Sequence, residues 1–222
     1  MPATKVSRRR FLAITGVTLG ATALTCSGLT ALGTRQPAID FTENTFGDTT
    51  MPNKILVAYA SKAGSTSGVA EAIGKTLAES GVQVDVRLMK DVKDLAPYRA
   101  VVAGSAIRMG EWLPEAMQFM QTHQAALAQK PFAAFLVCFT LAHPSAEANE
   151  KVAAYLEPVR ALVKPASEAL FAGMVDFGKL RLIPEGLIMR AILASDKVQP
   201  GDYRDWNAIR AWAESLRPLL LQ

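Results

Sequence analysis

"KILVAYASKAGSTSG", residues 54–68, decides the architecture: a run of strand formers stops at a loop of Ser, Lys, Ala, Gly and Thr, and a helical pattern begins. Residues 55–60 are apolar without alternation, the pattern of a strand buried on both faces. Val69, Ile73 and Leu77 then recur at helical spacing, with Gly81 as the stop. Working outward, residues 82–89 alternate as a strand nearer an edge, and residues 100–107 read as another buried strand. A helix from Pro114 carries Met117, Met120, Gln124 and Leu127 on one stripe. Residues 132–139 form a fourth strand, 145–163 a helix bent at Pro158, and 169–177 a fifth strand. Residues 184–194 read as an extra short helix; Asp202, with Asp205 three residues on, opens a last helix along Trp206, Ile209, Ala213 and Leu216. Strands alternating with helices predict an α/β fold: three layers around a doubly wound, five-stranded parallel sheet.

Size and charge narrow the rest. At 222 residues and 50% hydrophobic, the chain suits one full core, expected over residues 54–222. Its net charge of +4 comes entirely from Lys5, Arg8, Arg9 and Arg10, because the other lysines and arginines equal the 20 acidic residues in number. With no basic patch interleaved with aromatics, nucleic acid is excluded as a partner. Residues 1–33 read as an export signal: a basic start, then an uncharged stretch from Phe11 to Gly33. Ser7-Arg8-Arg9-Arg10-Phe11-Leu12 resembles the twin-arginine signal, which directs folded proteins across the bacterial inner membrane. A plain membrane anchor is the alternative, since the uncharged stretch exceeds the roughly 20 residues that span a bilayer. Either reading puts the domain in the periplasm or on the outer face of that membrane. Ala21-Thr22-Ala23 has the small-x-small form of a cleavage site, whereas the residues before Cys26 make a poor lipidation motif. The other cysteine, Cys138, is expected to be a buried, inert thiol. Residues 34–53 read as a flexible tether. Met51-Pro52-Asn53-Lys54 also reads as a translation start, in which case the protein stays in the cytoplasm.

Ligands of such sheets bind beyond the carboxyl ends of the strands. Three loops gather there, at residues 61–67, 104–112 and 140–145. The first has no G-x-G-x-x-G. Gly68 to Gly74-Lys75-Thr76 misses the Walker spacing by one residue and falls within a helix, so it is rejected. What remains, Ser61-Lys62-Ala63-Gly64-Ser65-Thr66, has small residues that let backbone N–H groups close on an anion, hydroxyls that donate, and a helix that follows with its positive end foremost. Two readings stand at this point: a site for a phosphate monoester, or a plain helix cap.

This loop, the five-strand pattern and the later segments resemble the flavodoxin-like fold. More narrowly, "VVAGSAIRMGEW" with "PFAAFLV", "LFAG", "LIMRAI" and "YRDWNAIRAWA" resembles the menaquinone-dependent protoporphyrinogen oxidase family, over most of the chain from Lys54 to Leu216. The resemblance implies FMN as cofactor. By position, Ser61, Lys62, Ala63, Gly64, Ser65 and Thr66 would enclose its phosphate; Ser105, Ala106, Ile107, Arg108, Met109 and Gly110 would flank the flavin; Phe139, Thr140 and Leu141 would lie on its other side. Trp112 is expected to plug the start of its helix rather than stack on the ring, His143 to be a surface-loop histidine, and His123 to be solvated on a polar helix face.

The implied activity is an FMN oxidoreductase passing electrons from an organic substrate to a quinone, with an acidic tetrapyrrole as the family's substrate. The chain departs from the family where the loop after the fourth strand and the insertion after the fifth carry Glu147, Glu150, Asp176 and Glu185, leaving Arg108, Lys179, Arg181 and Arg190 either to pair with carboxylates or to stand as solvated surface. The alternatives are an electron carrier docking a redox protein, and a flavin-free interaction module. No residue is assigned as a catalytic acid or nucleophile, and no metal site is expected.

Overall fold

The computed structural model describes residues 39, 41–48, 54–176, 179 and 199–220, within one compact unit, Ile39–Gln222. The expected export signal, most of the tether and the helix expected at 184–194 lie outside the described residues.

In chain order the elements are β1 Asn44–Phe46, β2 Lys54–Ala60, α1 Ser65–Ala78, β3 Gln83–Leu88, β4 Tyr98–Arg108, β5 Glu111–Trp112, α2 Pro114–Thr122, α3 Gln124–Leu127, β6 Phe132–Val137, α4 Ala146–Ala153, α5 Glu157–Leu162, β7 Ser167–Phe171, β8 Met174–Val175, β9 Gly201–Asp202, α6 Trp206–Ser215 and α7 Arg217–Leu220. The sheet runs β1-β3-β2-β4-β6-β7. Strands β3, β2, β4, β6 and β7 pair in parallel in that order, so the expected five-stranded parallel sheet is present. Alternate residues of β2 serve opposite faces, which is why its sequence is continuously apolar. Leu56 and Ala58 join a core with Leu113, Phe119, Met120, Val152 and Val159, beneath α2, α4 and α5. Ile55, Val57 and Tyr59 join a second core with Val69, Ile73, Leu77, Ile209 and Ala213, beneath α1 and α6. At the sheet's centre, Gly104 faces Phe135, whose ring lies 2.0 Å from where a Cβ on Gly104 would stand. The missing side chain is filled by the aromatic one.

Several expectations need correction. Strand β3 lies nearer an edge as expected, but the edge itself is Asn44–Phe46, inside the expected tether, which pairs antiparallel to it. Polar pairing holds this short strand: Thr45 Oγ1 donates to Asp85 Oδ1 at 2.6 Å, Arg87 donates to the Asn44 carbonyl at 2.8 Å, and the Leu88 amide donates to Glu43 Oε1 at 3.2 Å. A short, polar edge strand also blunts edge-to-edge association. The helix expected over 145–163 is broken into α4, a 3₁₀ turn at Ala154–Leu156, and α5. Pro158 opens α5 rather than bending one long helix, since a first-turn residue has no intrahelical N–H bond to lose. The stripe on α2 is Ala116, Phe119 and Met120, whereas Gln124 is exposed and donates to the Leu162 carbonyl at 2.9 Å. His123 ends α2 half-buried, its ring centroid 4.8 Å from that of Phe119, and is not solvated on a polar face. The cap of α6 is Asp205, which accepts from the amides of Asn207 and Ala208 at 3.0 Å. Asp202 belongs to β9 instead and grips Arg204 at 2.7 Å; that pairing holds its carboxyl below the usual range.

Candidate functional site

The carboxyl ends of β2, β4 and β6 and the chain beyond β7 open onto one cleft that is partly open to solvent, about 710 Å³ with the open space at its mouth counted in. After Ala60 the backbone turns at once, and Gly64 adopts φ +82°, the left-handed region that a side chain strains to enter. The Gly64 amide donates to Ser61 Oγ at 3.1 Å, closing the turn. Helix α1 then starts with no side-chain cap and no acidic residue in its first turn, so its positive end faces the cleft uncompensated by carboxylate.

Within that turn, Thr66 is fully buried and its Oγ1, on the cleft wall, has no hydrogen-bond partner among the described residues. An unpaired buried hydroxyl costs roughly 1–3 kcal/mol, so such groups are normally paired by protein, ordered water or a ligand. Its neighbour differs in every respect. Ser67 Oγ accepts from the Thr42 amide at 2.9 Å and donates to Tyr59 Oη at 3.1 Å, while Tyr59 donates to the Thr42 carbonyl at 2.9 Å. Ser67 therefore belongs to a clasp on the segment before β1 and not to the anion loop. Burial pushes the Tyr59 hydroxyl pKa up, with its bond to Ser67 opposing.

Of the expected site residues, Ser61, Lys62, Ala63, Ser65, Thr66, Ala106, Ile107, Arg108 and Phe139 line the cleft. Six do not. Gly64 supplies the turn's conformation, and Ser105 is buried, donating to the Ala106 carbonyl at 2.8 Å and accepting from the Leu113 amide at 3.1 Å. Met109 and Gly110, at φ 52° and 84°, form the tip of the β4–β5 hairpin, with Met109 70% exposed. Thr140 and Leu141 lie in the 3₁₀ turn Phe139–Ala142 that follows β6, where Leu141 is buried in the core and Thr140 Oγ1 is 3.4 Å from Cys138 Sγ. Cys138 is a buried free thiol, as expected. Trp112 is buried, pairs with Ile107 and plugs the core, in agreement with the plug reading. His143 is exposed, 6.2 Å from the Tyr203 ring.

The cleft also takes Leu113, Val137, Gly173, Met174 and Val175, which sequence reasoning did not assign to it. The Met174 amide donates to Ser65 Oγ at 2.8 Å, tying the chain after β7 to the loop, and a Cβ on Gly173 would stand 3.2 Å from Ser65 Oγ. The signal was present in "LFAG": small residues at the carboxyl end of the fifth strand, where a fourth loop meets the site. Among the described residues there is no cluster of His, Cys, Asp or Glu fit to hold a metal, and no helix long and apolar enough to cross a membrane.

A doubly wound sheet with a turn of small residues after its first parallel strand and an apolar cleft beside it is the α/β arrangement of a nucleotide-binding protein, and the residues present fit FMN: an unpaired buried hydroxyl and an uncapped helix end for the phosphate, Ile107, Phe139 and Val175 for the ring. The chain belongs to the flavodoxin domain family, whose model matches residues 56–200, and FMN is the cofactor of that family. The chain is 23% identical over 175 residues to protoporphyrinogen IX dehydrogenase [quinone] of Escherichia coli K12, covering 75% of this chain and 96% of that protein. Among solved structures, a flavodoxin from the domain Archaea is 26% identical, covering 64% of this chain and 99% of that one with a TM-score of 0.41. Flavodoxin 2 of Bacillus cereus is 23% identical, covering 63% and 99%, with a TM-score of 0.41.

Proposed function

We propose that this chain is an FMN-dependent oxidoreductase that takes electrons from an organic substrate and passes them to a quinone, working on the outer face of the bacterial inner membrane after twin-arginine export. The observation that carries the cofactor half of this reading is Thr66, a buried hydroxyl with no described partner on the wall of a cleft at a helix's positive end. The 23% likeness to a quinone-linked protoporphyrinogen dehydrogenase supports the substrate half.

When bound, FMN supplies the reversible one- and two-electron chemistry. The chain's own residues hold and shield it. Thr66 Oγ1 and the amides of the first turn of α1 would donate to the phosphate, and Ser61 and Ser65, each accepting a backbone amide, keep a hydroxyl hydrogen that could donate there too. Lys179 Nζ, 3.8 Å from where a Cβ on Gly64 would stand, adds positive charge at the loop. Ala106, Ile107, Val137, Phe139, Met174 and Val175 form the apolar wall that would shield a flavin ring from water. The motif at residues 7–12 fits the same reading, because a noncovalent cofactor must be loaded before a folded protein crosses.

Anaerobic bleaching of the FMN-loaded full chain by protoporphyrinogen, with recovery on adding a menaquinone analogue, tests the reaction. Turnover is expected; its absence above background leaves an electron carrier. Replacing Arg8 and Arg9 with Lys is expected to retain the protein inside the cell, and unchanged export contradicts the placement.

A further inference from the structure

Lys62 is the sole cation in the turn at residues 61–67, yet it is already paired: its Nζ lies 2.9 Å from Glu115 Oε1. Glu115 stands in the first turn of α2, where the helix's positive end favours a carboxylate with or without a lysine. Lys62 lines the flavin cleft and, with Glu115, also the neighbouring hollow beside Tyr59 and Lys90, so the pair bridges the two. The side chains are 42% and 26% exposed, and a lysine ammonium on a four-carbon stem is free to swing between partners. A phosphate monoester in the turn and the Glu115 carboxylate thus compete for Lys62.

We propose that Glu115 sets how strongly the turn prefers a phosphorylated flavin, by drawing Lys62 away from the phosphate. The proposal rests on the FMN reading of the cleft. It makes Glu115 a positioning residue acting through Lys62, and gives the site a moderated grip on its cofactor rather than a maximal one.

The test is flavin-fluorescence quenching with the full chain at low ionic strength, where surface charges are least screened. FMN is compared with riboflavin, which lacks the phosphate. Glu115→Gln is expected to tighten FMN about two- to fivefold, the range of a partly exposed ion pair, and to leave riboflavin unmoved. Lys62→Gln is expected to weaken FMN alone, and in that background Glu115→Gln is expected to add nothing. An equal gain in both backgrounds means through-space repulsion and overturns the proposal; so does an equal change for both flavins, which marks a structural role, or no change at all. A wild-type chain that binds neither flavin overturns the FMN reading together with this one, whereas FMN binding indifferent to Glu115 overturns this one alone.

Discussion

Thr66 and Ser67 are adjacent buried hydroxyls in the first turn of the same helix, 0% and 3% exposed, and they do opposite work. Ser67 faces the clasp with Tyr59 and Thr42 and is bonded twice. Thr66 faces the cleft and has no described partner. The difference shows that chemistry in this turn is decided by which side of β2 a hydroxyl meets, and not by its residue type. On one side the chain before β1 satisfies it; on the other no described residue does.

Removing one side of the comparison has the largest expected effect. A chain beginning at residue 51 loses β1, the clasp, and Phe41 and Phe46, which pack on the core, and it is expected to be roughly 3–5 kcal/mol less stable in urea than one beginning at residue 39. Equal stability would mean that this strand does not belong to the domain. Next, Thr66→Val is expected to weaken FMN roughly ten- to a hundredfold, the loss of one hydrogen bond to a charged group, while raising the melting temperature of the apoprotein slightly. Unchanged FMN affinity would remove Thr66 from the site. Ser67→Ala should do the reverse, costing roughly 1–2 kcal/mol of stability with FMN affinity moved less than twofold. A large affinity loss there would erase the distinction between the two hydroxyls.

The smallest effect is pH-dependent. Tyr98 donates to Asp85 Oδ2 at 3.1 Å, next to the Thr45 contact of β1, and burial, then the Asp85 charge, push its pKa up to about 12. Because that value lies above that of a free phenol, its contribution to stability is complete below about pH 10 and is lost as pH rises from there through 12. Tyr98→Phe is expected to flatten that decline in alkaline denaturation curves, and an unaltered curve would show that the phenol does not titrate with folding.

The fold was legible because β2, β4 and β6 are buried on both faces and carry continuous apolar runs, and because Gly81 and Pro114 mark helix limits that local chemistry dictates. Strand β1 was not: three residues, Asn-Thr-Phe, have no readable period, and their strand character comes from pairing with β3. The breaks at His123 and Ala154 were hidden for a similar reason, since helical spacing continues across them. In the site, the turn at residues 61–66 was legible from small residues before a helix. Ser105 was misplaced because a hydroxyl beside a flavin and one pinning a hairpin look alike in sequence. Gly173 and Met174 were missed because their role arises from Ser65, 109 residues earlier in the chain.

The most direct measurement is the absorption spectrum of the purified full chain, before and after titration with FMN. The account predicts a yellow protein saturating at one FMN per chain, with riboflavin held more weakly for want of a phosphate. A colourless chain that takes up no added FMN would contradict it and leave the unpaired hydroxyl of Thr66 without its assigned role.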